Sequence, residues 1–155
     1  MTVLEEELSR DIRTRVRMWN FLDEGLAQRG IITPGAVRSV ELAGAVVDTG
    51  STRLVLTQEI VDRLGLSPDG EIAVRYADSR MARKRLARGV AVEIMGRVGT
   101  FDAVVEERGE PLIGMEVLEG LDLWPDPQRG LLTTNPASPD IPLYNLLRSE
   151  TWPLP

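Results

Sequence analysis

The chain contains no histidine and no cysteine, and its only lysine is Lys84. Losing imidazole removes Ser-His and Cys-His nucleophile pairs and the usual zinc sites, while losing thiol removes disulfides, thiolate metal sites and redox motifs. Neither a metal nor an organic cofactor is expected. No apolar run approaches the roughly 18 residues that a membrane-spanning helix needs. The first thirty residues are crowded with Glu and Arg where a signal peptide would carry an apolar stretch. A soluble, cytoplasmic protein with no membrane partner is the expectation. The net charge of -6 and a pI near 4.8 argue against a nucleic-acid partner, because neutralising phosphates takes a concentrated excess of positive charge.

One stretch departs from that acidic balance. Arg80, Arg83, Lys84, Arg85 and Arg88 place five cations in nine residues. The plain reading is a solvated hairpin tip; the other is contact with an acidic substrate or partner. With 155 residues and 43% apolar content, the chain can bury one compact core but not two enzyme-sized lobes. A single domain over 1–134 is expected, followed by a tail over 135–155. Five of the ten prolines fall in the last twenty residues, which read as extended and poorly packed.

Along the chain, Thr2-Val3-Leu4-Glu5 has capping-box spacing, predicting a short helix over Val3 to Ser9. Thr14, Val16 and Met18 then alternate with Arg13, Arg15 and Arg17, the pattern of a half-buried strand. A second short helix is predicted over Leu22 to Gln28. The run from Val37 to Val47 reads as a strand with a bulge at Ala43-Gly44. Leu54-Val55-Leu56 reads as a buried strand, and Thr57 caps a helix that ends at Gly65. Pro68-Asp69-Gly70 is expected to turn. Glu71–Tyr76 and Val90–Ile94 are read as the arms of a long hairpin around the basic stretch. Phe101, Ala103 and Val105 continue the alternation, and a helix is predicted over Met115 to Leu121 before a last strand pair near Leu123 and Leu131. Ile60–Leu66 and Val117–Leu123 share one pattern, consistent with two halves built alike. Trp19 and Trp124 read as core or dimer interface.

The chemistry concentrates at Asp48-Thr49-Gly50-Ser51, preceded by Ala45-Val46-Val47. A carboxylate on a tight glycine turn at the end of a buried strand is held for acid/base work, and no imidazole or thiol is present to do that work instead. Hydrolysis by activated water would need one carboxylate to accept a proton and a second, protonated one to donate. One chain supplies one such site, so such chemistry would take two chains. A twofold axis beside Asp48 would bring two copies together, where like charges resist double ionisation and one proton is shared. The simpler reading of Asp48 is an Asx turn completed by Thr49 and Gly50.

Val46-Val47-Asp48-Thr49-Gly50-Ser51-Thr52, the following Leu54-Val55-Leu56 and helix, and the later Leu112-Ile113-Gly114 resemble the retropepsin-like aspartic proteases, bacterial members among them. The likeness covers roughly residues 37–133 and rests on two motifs in order with a hairpin between them. It implies a mostly β fold, a closed barrel-like sheet with short helices, acting as a symmetric homodimer on peptide or protein substrates. Asp48 would be the catalytic residue. Thr49 would brace the two turns across the axis, Gly50 would offer its N–H to the carboxylate, and Ser51 would donate to the outer carboxylate oxygen. Leu112, Ile113 and Gly114 would pack beneath the acid turn. The hairpin would be the flap, with Tyr76, Ala77, Asp78, Ser79 and Arg80 facing substrate; bacterial members more often have glycine where Ser79 stands. An acidic activity optimum is expected, because that Ser51 bond would stabilise the ionised form. The alternative function is a non-catalytic peptide-binding or dimerisation module of the same fold. Leu143-Tyr144 is an apolar pair in an accessible stretch, open to self-processing.

Overall fold

A computed structural model describes residues 11–146. The helix expected over Val3 to Ser9, and the end of the tail from 147 to 155, lie outside the described residues. Nine strands and three short helices are present among those described: β1 (Arg13–Asn20), α1 (Phe21–Gln28), β2 (Ser39–Val47), β3 (Leu54–Thr57), α2 (Gln58–Arg63), β4 (Pro68–Arg75), β5 (Met81–Ile94), β6 (Arg97–Glu106), β7 (Leu112–Ile113), α3 (Met115–Leu121), β8 (Leu123–Asp126) and β9 (Leu131–Thr134). The fold is mostly β, as the alternating pattern requires.

Seven strands join in the order β1-β2-β7-β3-β6-β5-β4, and β1 also pairs with β5. That extra pairing brings the sheet back on itself, leaving β4 hydrogen-bonded only to β5 as an outlying hairpin arm. Apolar side chains of the ring converge inward: Val16, Met18, Leu54, Leu56, Val90, Val92, Ala103 and Ile113 are fully or almost fully buried. Burying a side chain of this kind contributes about 1.5–3 kcal/mol, so the alternation alone decides which strand face is inward. Opposite Thr14 and Val16, the register of β2 jumps from Ala45 to Leu42, which places the bulge at Ala43-Gly44. Trp19 is core, whereas Trp124 is exposed.

The two similar segments share one burial pattern. Ile60, Val61, Leu64 and Leu66 are buried in the first; Val117, Leu118, Leu121 and Leu123 match them in the second. Each helix is followed by one residue in the left-handed region, Gly65 at φ 63° and Asp122 at φ 54°. Aspartate is among the few non-glycine residues that tolerate that conformation, which explains how the repeat survives the exchange. Thr57 caps α2 by accepting from the Ile60 N–H at 3.4 Å.

Three expectations need correction. Pro68-Asp69-Gly70 is not a separate turn but the start of β4, where two residues form a bulge between the Pro68–Ala87 and Glu71–Arg85 pairs. The basic stretch is not a tip: Arg83, Lys84 and Arg85 lie inside β5, opposite Ala73, Ile72 and Glu71, and the tip is Tyr76 to Arg80. The part of the tail up to Tyr144 is mostly exposed, as expected, but it is not loose, because hydrogen bonds tie it to the domain. Buried Arg97 donates to the carbonyls of Leu121 (3.2 Å), Asp122 (2.7 Å) and Ser138. The Asp122 carboxylate accepts from Asn135 Nδ2 at 3.0 Å, Ser138 Oγ at 2.5 Å and the Leu143 N–H at 2.9 Å. Those bonds, with the facing Arg97 guanidinium, hold Asp122 below the usual carboxylate range.

Candidate active site

β2 delivers the acid. Val46 and Val47 pair in parallel with Leu112 and Ile113, and the Asp48 N–H extends the ladder by donating to Ile113 O at 2.9 Å. The chain then turns, with the Ser51 N–H donating to Asp48 O at 3.1 Å, and re-enters the sheet as β3, where Val55 faces Leu112. The short β7 therefore lies between the strand that enters the acid turn and the strand that leaves it.

The same few residues tie the turn to α3. A helix begins with backbone N–H groups that have no partner in the helix itself, and Gly114 has no side chain to cap them. Carbonyls of the acid loop take that place: Met115 N–H donates to Ser51 O at 2.8 Å and Glu116 N–H to Thr52 O at 2.9 Å. This contact is close enough that a Cβ on Gly114 would stand 2.3 Å from Arg53 O and 2.6 Å from Ser51 O. Only glycine fits there, and the reason is backbone approach rather than an unusual φ. Arg53 adds an ion pair to Glu116 at 3.8 Å, half-exposed and of little energetic weight.

Within the loop, Asp48 is half-buried and Thr49 and Gly50 are exposed. Asp48 Oδ1 accepts the Gly50 N–H at 2.9 Å. A Cβ at Gly50 would lie 3.1 Å from the same oxygen, so a side chain there would press on the carboxylate. Ser51 behaves differently from the sequence expectation: its hydroxyl donates to Arg53 O at 2.9 Å, not to Asp48. A local turn bond to a carbonyl two residues away competes with the carboxylate and wins, leaving Gly50 as the donor to Asp48.

The hairpin tip is built by side chains. Tyr76 N–H donates to Arg80 O and Ser79 N–H to Tyr76 O, both at 2.9 Å, closing the turn. Asp78 accepts from the Arg80 N–H at 3.0 Å and from Arg80 Nε at 2.8 Å. The Arg80 guanidinium lies 4.9 Å from the centre of the Tyr76 ring. Ser79 sits at φ 70°, the left-handed region where glycine is at ease. Ala77, Asp78, Ser79 and Arg80 are exposed and Tyr76 is half-buried.

Sequence reasoning missed what anchors this tip. Tyr76 Oη donates to Glu106 Oε1 at 2.7 Å, and Lys84 Nζ pairs with Glu106 Oε2 at 3.0 Å. Burial pushes the Glu106 carboxyl up, but the bonds from Tyr76 and Lys84 outweigh it and hold the group below its usual range. The bond to Glu106 likewise raises the Lys84 ammonium. The one signal in the sequence was Lys84 itself, the single lysine among seventeen arginines, standing at an inward position of the strand alternation.

A family model described as aspartyl protease matches residues 33–117, more than half of the 155-residue chain. The matched span runs from the approach to β2 through the acid loop and the hairpin to the first turn of α3. No curated protein matches the chain.

Proposed function

Because the chain belongs to the retropepsin-like aspartyl protease family, we propose that it is an aspartic endopeptidase that acts as a symmetric homodimer, one Asp48 coming from each subunit. The observation that carries this reading is the acid loop. Asp48 is fixed by backbone bonds at its own N–H and at Ser51 and Thr52, oriented by the Gly50 N–H, and left half-buried. An ordinary Asx turn has no need of a strand threaded between its two arms or of a glycine pressed against its carbonyls.

In the proposed reaction, one Asp48 carboxylate accepts a proton from water as the water oxygen attacks the peptide carbonyl carbon. The partner subunit's Asp48, protonated, donates to the carbonyl oxygen. The C–N bond of the resulting tetrahedral species then breaks: the Asp48 that took the water proton passes it to the leaving nitrogen, and a hydroxyl of the gem-diol returns its proton to Asp48 of the partner subunit as the carbonyl re-forms. Water is the nucleophile, so no histidine or cysteine is required. Thr49, exposed at the crown of the loop, would meet its counterpart across the axis, and the tip from Tyr76 to Arg80 would close over an extended peptide and exclude bulk water.

The test is hydrolysis of a mixed peptide library between pH 3 and pH 7, with the wild type beside Asp48→Asn. Cleavage that peaks on the acid side and is lost in Asp48→Asn, while the dimer persists by light scattering, supports the proposal. Peptide capture with equal, negligible cleavage by both proteins would instead identify a binding module of the same fold.

A further inference from the structure

The β4–β5 hairpin has two unlike faces. Ile72, Val74, Ala82 and Lys84 are half-buried on one, while Glu71, Ala73, Arg75, Met81, Arg83 and Arg85 are exposed on the other. Across the exposed face, Arg85 stands opposite Glu71, Arg83 opposite Ala73 and Met81 opposite Arg75. Arg75 and Arg83 are thus diagonal neighbours, about 7–8 Å apart in a regular ladder.

Their charge is poorly compensated within the chain. Arg83 meets Glu71 only at 4.0 Å, with the arginine side chain 85% exposed. Arg85 donates to the neutral amide oxygen of Gln58 at 2.9 Å, and Arg75 makes no ion pair among the described residues. Several other arginines are matched, Arg13 with Glu110, Arg15 with Glu41, Arg38 with Asp23, and Arg88 with Asp69 and Asp102, whereas Arg17, Arg29, Arg63 and Arg108 make no ion pair among the described residues but are not gathered on one face of a hairpin. Three guanidinium groups beside one carboxylate form a positive face on a chain of net charge -6.

We propose that this outer face of the hairpin binds acidic stretches of the polypeptide substrate that flank the bond to be cut. The inference rests on the endopeptidase reading above and names its preferred substrate class. Side chains on one face of an extended strand recur about every 6.6–6.8 Å. Arg83 and Arg85 are two residues apart on β5, so alternate carboxylates of an extended acidic peptide meet them in register, each matched by a planar guanidinium. Arg75 adjoins Tyr76, which makes the positive face continuous with the tip proposed to cover the substrate. Nucleic acid is the poorer fit: three arginines neutralise few phosphates, and the acidic body of the protein repels the rest of the polyanion.

The experiment uses the full-length chain. Binding of a fluorescent twelve-residue peptide with alternating Glu, and of its Gln counterpart, is measured by anisotropy on Asp48→Asn at pH 7. Steering by clustered charge changes association by about tenfold or more at low salt. The Glu peptide should therefore bind about tenfold tighter, and lose that advantage both in 0.5 M NaCl and in the added triple change Arg75→Gln, Arg83→Gln, Arg85→Gln. Arg83→Glu alone gives the same direction should the triple variant unfold. Equal affinity for the two peptides overturns the inference, as does tighter binding of a single-stranded oligonucleotide of equal charge. In parallel, wild-type kcat/KM at pH 5.5 is compared for one cleavable core flanked by Glu or by Gln, with about a tenfold preference for Glu expected. Cleavage without preference for either flank discards the surface and leaves the endopeptidase standing. A binding preference with no cleavage of either peptide keeps the surface and discards the endopeptidase.

Discussion

The acid loop and the hairpin tip are both turns that join strands, and they are held by opposite means. Around Asp48 the bonds run from backbone to backbone, and the decisive fit is the absence of a side chain at Gly114. Around Ser79 the turn is closed locally, then tied down by Tyr76, Asp78, Arg80, Lys84 and Glu106 through side chains. Backbone bonds between buried strands open only when the strands part, whereas a side-chain tether near solvent can be exchanged one bond at a time. Rigidity therefore belongs to the loop that orients the carboxylate, and adjustability to the tip that must admit a substrate.

Substitutions should separate the two regions, the loop responding most. Gly114→Ala drives a methyl group into two backbone carbonyls that cannot swing aside; a loss of about 3 kcal/mol or more is expected in urea unfolding, together with loss of hydrolysis. Alanine at Gly114 with near-native stability would show that the loop yields and is not the rigid element. Gly50→Ala is a milder intrusion, 3.1 Å from Asp48 Oδ1. It should leave unfolding within about 1 kcal/mol of the wild type while kcat falls by about tenfold to a hundredfold, since small misplacements of a reacting group are costly.

At the tip, Tyr76→Phe removes one bond to a charged acceptor, for about 1.5–3 kcal/mol. Its more specific signature is in the pH dependence. The Glu106 carboxyl titrates lower in the folded chain than when unfolded, so its contribution is present above the unfolded value and fades as pH falls through the folded one. Removing Tyr76 Oη brings the two values closer and should flatten the acid limb of the stability curve. An unchanged acid limb would mean that Lys84 alone sets the Glu106 charge. The smallest effect expected is a gain: Ser79→Gly relieves a left-handed serine and should add up to about 1 kcal/mol, offset in part by glycine's larger unfolded-state entropy. Destabilisation by that change would show that the serine side chain has a role in the turn.

What could be read from the sequence follows the same division. β2, the bulge at Ala43-Gly44, the Thr57 cap and the paired patterns over Ile60–Leu66 and Val117–Leu123 are local features, set by alternation, capping chemistry and burial. The acid turn was legible because glycine, a short polar residue and a preceding valine pair carry their conformation with them. Features that depend on distant partners were not. Charges masked β5, since Arg83 and Arg85 point outward while Lys84 turns in toward Glu106, twenty-two positions away in the chain. Pro68 and Gly70 signal a turn by composition, yet the pairing partner absorbs them as a bulge. Nothing local announces that Arg97 is buried or that it reaches Ser138, which is why the start of the tail was expected to be loose. Ser51 had two acceptors in reach, and only the folded loop decides for Arg53.

The shared centre can be tested by mixing. Wild type and Asp48→Asn are combined at fixed total concentration, allowed to exchange subunits, and assayed for peptide hydrolysis at acid pH. If one Asp48 from each of two chains is required, the rate falls with the square of the wild-type fraction, to about a quarter at an equal mixture. A rate that falls only in proportion, to one half, would mean that a single Asp48 suffices, and would contradict the two-chain site.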